Sequence, residues 1–214
     1  MTRIFKPLCL TVIATLAACG GGEEAPEASQ PETEVPGATS ASSGGLEGCY
    51  LQGTMEEALA RTSPIKELGL VYQGGAGLLC YGAPSARGRR VMDAQVVPYD
   101  ALWRLGANEA TGIHLTAPAS VGGVEVDPGS YSMYALPGEG QWQFFLNTNF
   151  ERWGIPISDE VRATEVGSFT AVPETADEMV ETLTFSYEAD PGNAGGTIVM
   201  AWEHTRLRIP LAGR

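Results

Sequence analysis

Beyond residue 45 the apolar side chains come in short runs, several of them alternating with polar ones, and clusters of Gly and Pro separate the runs. Residues 68–72 and 78–81 flank the turn Gly74-Gly75-Ala76-Gly77. Residues 111–116, Val121 and residues 124–126 flank further turns, and residues 130–136 and 142–147 flank Pro137-Gly138-Glu139-Gly140-Gln141. Residues 162–172, 183–188 and 197–211 complete the series. About nine short strands at roughly ten-residue spacing, with no alternating βαβ pattern, predict an all-β fold. The expected architecture is an antiparallel β-sandwich of jelly-roll type, with a closed barrel as the alternative. Helical signals gather near the start of this region. Thr54-Met55-Glu56-Glu57 reads as a capping box opening a short helix toward Arg61, and Ser63-Pro64 restarts a turn with proline at the first helical position. Two further helical turns are expected near residues 99–105 and 175–181.

The first 45 residues follow other rules. Arg3 and Lys6 precede a 12-residue apolar run at residues 7–18, PLCLTVIATLAA. It is too short to span a bilayer and has the length of a signal-peptide core. It ends in Leu16-Ala17-Ala18-Cys19, which resembles the lipobox of bacterial lipoproteins, where the cysteine thiol receives a diacylglyceryl group. An ordinary secretory signal beside a chance cysteine is the alternative. Residues 1–18 are thus expected to be a signal peptide and Cys19 the lipidation site, so that acyl chains hold the protein on a membrane surface without a spanning helix. Gly20 follows the cysteine where an Asp would signal inner-membrane retention, and that similarity implies the outer membrane of a bacterial envelope, with the leaflet open. Residues 20–45 carry five glutamates, no basic residue and no aromatic one. Such a segment cannot bury a core; with Cys19 it reads as an acidic, disordered tether whose root-mean-square reach is roughly 25–30 Å.

Residues 46–214 remain as a single domain of 169 residues with 11 basic and 21 acidic side chains, a formal net charge of −10. Nucleic acid is not an expected partner, because phosphate binding needs a basic patch that this composition does not supply. An anionic lipid surface is disfavoured on the same ground. Of the four cysteines, Cys9 falls in the signal and Cys19 carries lipid. Cys49 and Cys80 are left in an oxidising compartment, and an even pair there predicts one disulfide; two buried free thiols are the alternative.

Candidate chemistry concentrates in residues 101–115, ALWRLGANEATGIHL. As an extended strand this segment puts Asn108, Ala110, Gly112 and His114 on one face and Glu109, Thr111, Ile113 and Leu115 on the other, which places Glu109 on the more apolar face. By the same alternation Glu203 lies among Val199, Ala201, Leu207 and Ile209, opposite Trp202, His204, Arg206 and Arg208. Two carboxylates on apolar faces need partners, since an unpaired buried charge costs several kcal/mol. Arg104 is the nearest cation in sequence, and its planar fork suits a carboxylate. A single hydrogen-bonded network of Arg104, Asn108, Glu109 and Glu203 is therefore expected. It reads either as a buried clasp or as the floor of a pocket, the clasp being preferred.

His114 and His204 are the only histidines, each facing away from the neighbouring glutamate, so two unrelated surface histidines are expected and no metal or cofactor. No G-x-S-x-G, S-x-x-K or H-E-x-x-H pattern occurs, and no helix follows the glycine-rich turn to cradle a phosphate. Most tryptophans should be core. Trp153, in Arg152-Trp153-Gly154-Ile155-Pro156, is the aromatic expected to be exposed, and it and His114 are candidate ligand contacts.

Residues 80–115, residues 127–147 (DPGSYSMYALPGEGQWQFFLN), Trp153-Gly154 and residues 201–210 (AWEHTRLRIP) resemble the DUF2911 family of bacterial envelope proteins. The family pattern is GR…VPY…WR.GANEAT, then P.G.YS…IPG…W…N, then a closing W-E-x-T strand. WRLGANEAT carries most of the specificity, and the similarity spans about residues 66–211. It implies a single exported all-β domain and no defined activity. Many relatives read Y-S-R-P where Tyr81-Gly82-Ala83-Pro84 stands here, and Arg87, Arg89 or Arg90 are the candidates to replace that arginine in space. Taken together, the sequence predicts a membrane-tethered binding or interaction module for a small-molecule, glycan or peptide ligand. The alternative is a hydrolase, of which a carbohydrate-active enzyme is one form, with Glu109 and Glu203 as acid and base and Arg104 assisting. A purely structural envelope protein is the third reading.

Overall fold

The computed structural model describes residues 48–214. The expected signal peptide, lipidation at Cys19 and acidic tether lie outside the described residues. A short helix, α1 (Met55–Ala60), opens the described chain. Its Thr54 hydroxyl accepts from the Glu57 amide and the Glu57 carboxylate accepts from the Thr54 amide, so the capping box legible in the sequence is formed.

Ten strands follow, arranged in two antiparallel sheets with no closed barrel. The six-stranded sheet contains β1 (Ile65–Tyr72), β2 (Gly75–Gly82), β3 (Ala107–Leu115), β6 (Gly129–Leu136), β7 (Trp142–Asn147) and β8 (Glu165–Ala171), side by side in that order. The second sheet runs β5 (Val124–Val126), β4 (Ala119–Val121), β10 (Gly195–Gly213), β9 (Glu174–Ala189). The β4–β5 hairpin leaves the first sheet between β3 and β6 and pairs with the end of the chain, Leu211 opposite Val121. This crossing staples the C terminus into the second sheet. The predicted all-β sandwich is the observed fold.

Between the sheets lies one contiguous apolar core, with Leu79, Ile113, Phe144, Leu146, Ile198, Met200 and Leu207 all fully buried. Trp103 stacks on Trp202 at 6.1 Å between ring centroids and meets Trp142 edge-on at 5.9 Å. Offset and edge contacts of this kind add about 0.5–1.5 kcal/mol each beyond the area they bury. The Cys49–Cys80 disulfide is formed and ties the chain preceding α1 to β2. Ala58, Ile65 and Cys80 make a small second cluster beneath it.

Several local expectations are corrected. Ser63-Pro64 starts no helix, because β1 begins at Ile65 and pairs along its length with β2. Residues 175–181, rich in helix formers, belong to β9, where pairing with β10 overrides intrinsic propensity. Residues 99–105 form turns and no helix, while a four-residue helix, α2 (Asp159–Arg162), capped by Ser158, stands where a strand was expected to begin.

The alternation assigned to the last strand fails at one residue. Glu203 has φ 51° and sits between two register shifts, Ala201 pairing with Thr184, Glu203 with Val180 and Thr205 with Thr175, so the surplus residues bulge from β9. Ahead of it Ile198, Met200 and Trp202 are buried; after it Leu207, Ile209 and Leu211 are. The left-handed turn at Glu203 therefore coincides with a reversed phase of β10, and Trp202, assigned to the outer face from sequence, is in the core.

Candidate functional site

The segment between β2 and β3 wraps over one end of the sandwich. Trp103 bridges to Ala135 of β6 by two backbone hydrogen bonds, which fixes the start of the WRLGANEAT stretch. Leu105 (φ 58°) and Asn108 (φ 66°) then take left-handed conformations on either side of Gly106 and Ala107, so the chain turns at Leu105 just before β3, while Asn108 to Leu115 lie in the strand expected for them. The turn throws the Arg104 side chain back on itself. Arg104 Nε donates to the Gly106 carbonyl at 3.1 Å, and the Thr111 hydroxyl donates to the Leu105 carbonyl at 3.0 Å.

This geometry separates the four residues expected to form one network. Glu109 is 2 % exposed and pairs with Arg61, whose Nη1 reaches both carboxylate oxygens at 2.7 and 2.6 Å. The Gln52 amide donates to Glu109 Oε1 at 2.9 Å and the Gln52 carbonyl accepts from Arg61 Nη2 at 2.6 Å, closing a three-residue ring. Asn108 Nδ2 donates to the Ser63 carbonyl at 2.8 Å. Glu203 accepts from the Met92 amide at 2.8 Å. The expected network of Arg104, Asn108, Glu109 and Glu203 is thus replaced by separate partnerships, because the turn at Leu105 directs Arg104 away from Glu109 and the end of α1 delivers a different arginine. Arg61 is the residue that reading along the chain missed.

His114 is buried, not on the surface. Its Nδ1 lies 2.7 Å from the Ser130 hydroxyl and its ring meets Phe150 edge-on at 5.7 Å. His204 is exposed. Trp153 is half-buried, not exposed as expected, and the Arg61 guanidinium lies over its ring at 5.5 Å to the centroid. Trp153 also bridges to Glu109 through the backbone, so the Trp153-Gly154 pair forms an extra rung beside β3. Among the described residues no group of three or more His, Cys, Asp or Glu side chains could hold a metal ion.

What Arg104 does line is a cleft of about 470 Å³, walled by Pro84, Val96, Leu102, Trp103 and Ile155, with Arg89 at its edge. No aspartate or glutamate lines it, and neither Glu109 nor Glu203 reaches it. Burial pushes the Arg104 guanidinium below its ordinary range, since a low-dielectric wall disfavours the charge; an arginine nevertheless stays charged. Apart from Nε, its donors meet no acceptor among the described residues, whereas Arg90, Arg162, Arg208 and Arg214 all pair with carboxylates. Arg89 Nε and Nη2 are spent on the carbonyls of Ala86 and Ser85.

Gly154 supports the Arg104 stem. A Cβ there would meet Arg104 Cδ at 2.5 Å and the Asn108 carbonyl oxygen at 2.9 Å, while the Gly154 amide donates to that same oxygen at 2.8 Å. Gly154→Ala is expected to cost about 1–3 kcal/mol in denaturant unfolding, the usual range for overpacking. A variant as stable as the wild type would mean that Arg104 does not rest on this backbone.

The described residues thus define an all-β sandwich with an acid-free, arginine-lined cleft at the end where the WRLGANEAT turn closes the core. The chain belongs to the DUF2911 family, described as "Protein of unknown function", whose model matches residues 69–211. No curated protein and no solved structure matches the chain.

Proposed function

We propose that the protein is a lipid-anchored envelope protein whose sandwich domain is a binding module, with the cleft beside Arg104 as its ligand site. The observation that carries this is a half-buried guanidinium lining a concave space of mixed apolar and polar walls, with donors left over and no carboxylate to satisfy them. The volume of about 470 Å³ falls within the usual range of small-molecule sites, roughly 300–1,000 Å³. The anchor rests on the Leu16-Ala17-Ala18-Cys19 border, and an exported location accords with a disulfide joining Cys49 and Cys80. An outer-membrane address follows from Gly20 in the same way.

Two measurements test the reading. Cells fed labelled palmitate should incorporate it into the wild-type chain and not into Cys19→Ser; labelling that survives the substitution would remove the anchor. Native mass spectrometry of the purified protein, mixed with the small-molecule fraction of bacterial envelopes, should reveal a retained species that Arg104→Met releases. A spectrum in which neither chain retains anything would leave the domain as a structural one. The hydrolase reading has no such support: both Glu109 oxygens are engaged by Arg61, and neither glutamate lines the cleft beside Arg104.

A further inference from the structure

Resting on that binding reading, we infer that the ligand of the cleft is a small organic monocarboxylate, its carboxylate on the free end of the Arg104 fork and its hydrocarbon body against the apolar wall. The sign of the ligand follows from the lining. A chain of net charge −13 leaves this concavity with two arginines and no acid. Cations and amines would meet only like charge there. The number of charges follows from the arginines. Arg89 is exposed and has two of its nitrogens committed to backbone carbonyls, which leaves a single well-placed guanidinium. A dianionic phosphate would carry more charge than one guanidinium neutralises, within the field of an acidic domain. A carboxylate matches the fork in both geometry and charge.

The body of the ligand follows from the walls. Val96, Pro98, Leu102, Trp103 and Ile155 offer hydrocarbon, while Thr62, Ser63 and Gln95 supply neutral polar groups beside the arginines. A sugar ring would need an aromatic face to stack on, and Trp103 is only 5 % exposed, with Trp202 stacked against it. The Arg104 stem is itself held between the Gly106 carbonyl and Gly154, so the fork is positioned before the ligand arrives.

The test is calorimetric titration of the purified full chain with three probes of one shape: cyclohexanecarboxylate, cyclohexylmethanol and cyclohexylmethylamine. The carboxylate is expected to bind at least about tenfold more tightly than the alcohol, the size of a charge-assisted hydrogen bond, and the amine to show no heat of binding. Arg104→Gln should lower carboxylate affinity by about tenfold or more and leave the alcohol unchanged. Should that variant unfold, Ile155→Glu keeps the test alive. Ile155 is 53 % exposed at the mouth of the cleft, and a negative charge there should weaken the carboxylate and favour the amine. Equal affinities for acid and alcohol, indifferent to both substitutions, would overturn the carboxylate and leave a neutral-ligand cleft standing. Absence of binding by all three probes would overturn the inference too, and the Arg104-dependent species sought in the envelope fraction then decides separately whether the cleft binds anything.

Discussion

Arg61→Met should lower the stability of the domain by about 3 kcal/mol, which for a domain of this size lowers the melting temperature by roughly 6–12 °C. Glu109 is almost wholly buried, and without Arg61 its carboxylate keeps only the Gln52 amide. Removing one partner of a buried pair typically costs about 3–5 kcal/mol because the other charge is left without compensation. The lower end applies here: the Arg61 side chain keeps 23 % of its surface, so water already screens part of the pair. That asymmetry makes a second prediction within the first. Glu109→Gln leaves the cation facing solvent and should cost less than Arg61→Met, and the double replacement Arg61→Met with Glu109→Leu should regain most of the loss. Trp153 reports on the same event, because its ring sits under the guanidinium and its fluorescence should change in Arg61→Met. A melting temperature within about 2 °C of wild type would show that Glu109 is served by something other than this arginine.

How far the sequence reaches can be judged from this pair. The sandwich was legible because two-residue alternation and Gly or Pro punctuation are properties of short stretches, and the capping box at Thr54 and Glu57 is likewise local. The need of Glu109 for a cation was legible as well, since a carboxylate on an apolar face demands one. Its partner was not, because Arg61 lies 48 residues away and Arg104 was chosen as the nearest cation in sequence. The left-handed turn at Leu105, a conformation that leucine rarely adopts, directs Arg104 away from Glu109. One clue did exist. The expected Cys49–Cys80 bridge fastens the segment carrying Gln52 and Arg61 to β2, and β2 is the neighbour of β3, which carries Glu109. Following that disulfide across the sheet, instead of following the chain, leads to the right arginine. The cleft was beyond reach for a different reason. Its walls come from residues 62–63, 84–107 and 155, and only the folded turn shows that Arg104 and Arg89 share it with no acid among them.

Deleting Glu203 should lower the stability of the domain by about 5–9 kcal/mol, whereas Glu203→Gly should stay within about 1 kcal/mol of wild type. The left-handed turn at Glu203 lets β10 bury Ile198, Met200 and Trp202 on one phase and Leu207, Ile209 and Leu211 on the other. A strand one residue shorter has a single phase, so one of these trios must turn to water. Exposing Leu207, Ile209 and Leu211 would forfeit about 1.5–3 kcal/mol for each side chain, together about 5–9 kcal/mol, against a total stability of about 5–15 kcal/mol for domains of this kind. The substitution keeps the residue count. Glycine adopts a positive φ without strain, which offsets the loss of the bond that Glu203 accepts from Met92. Near-ultraviolet circular dichroism and thermal unfolding of the two variants distinguish a role in strand phase from a role for the carboxylate. A deletion variant that melts cooperatively near the wild-type temperature would mean the phase reversal is absorbed elsewhere in β10. A glycine variant that fails to fold would mean that the Met92 contact, and with it the segment leading to the cleft, depends on the glutamate itself.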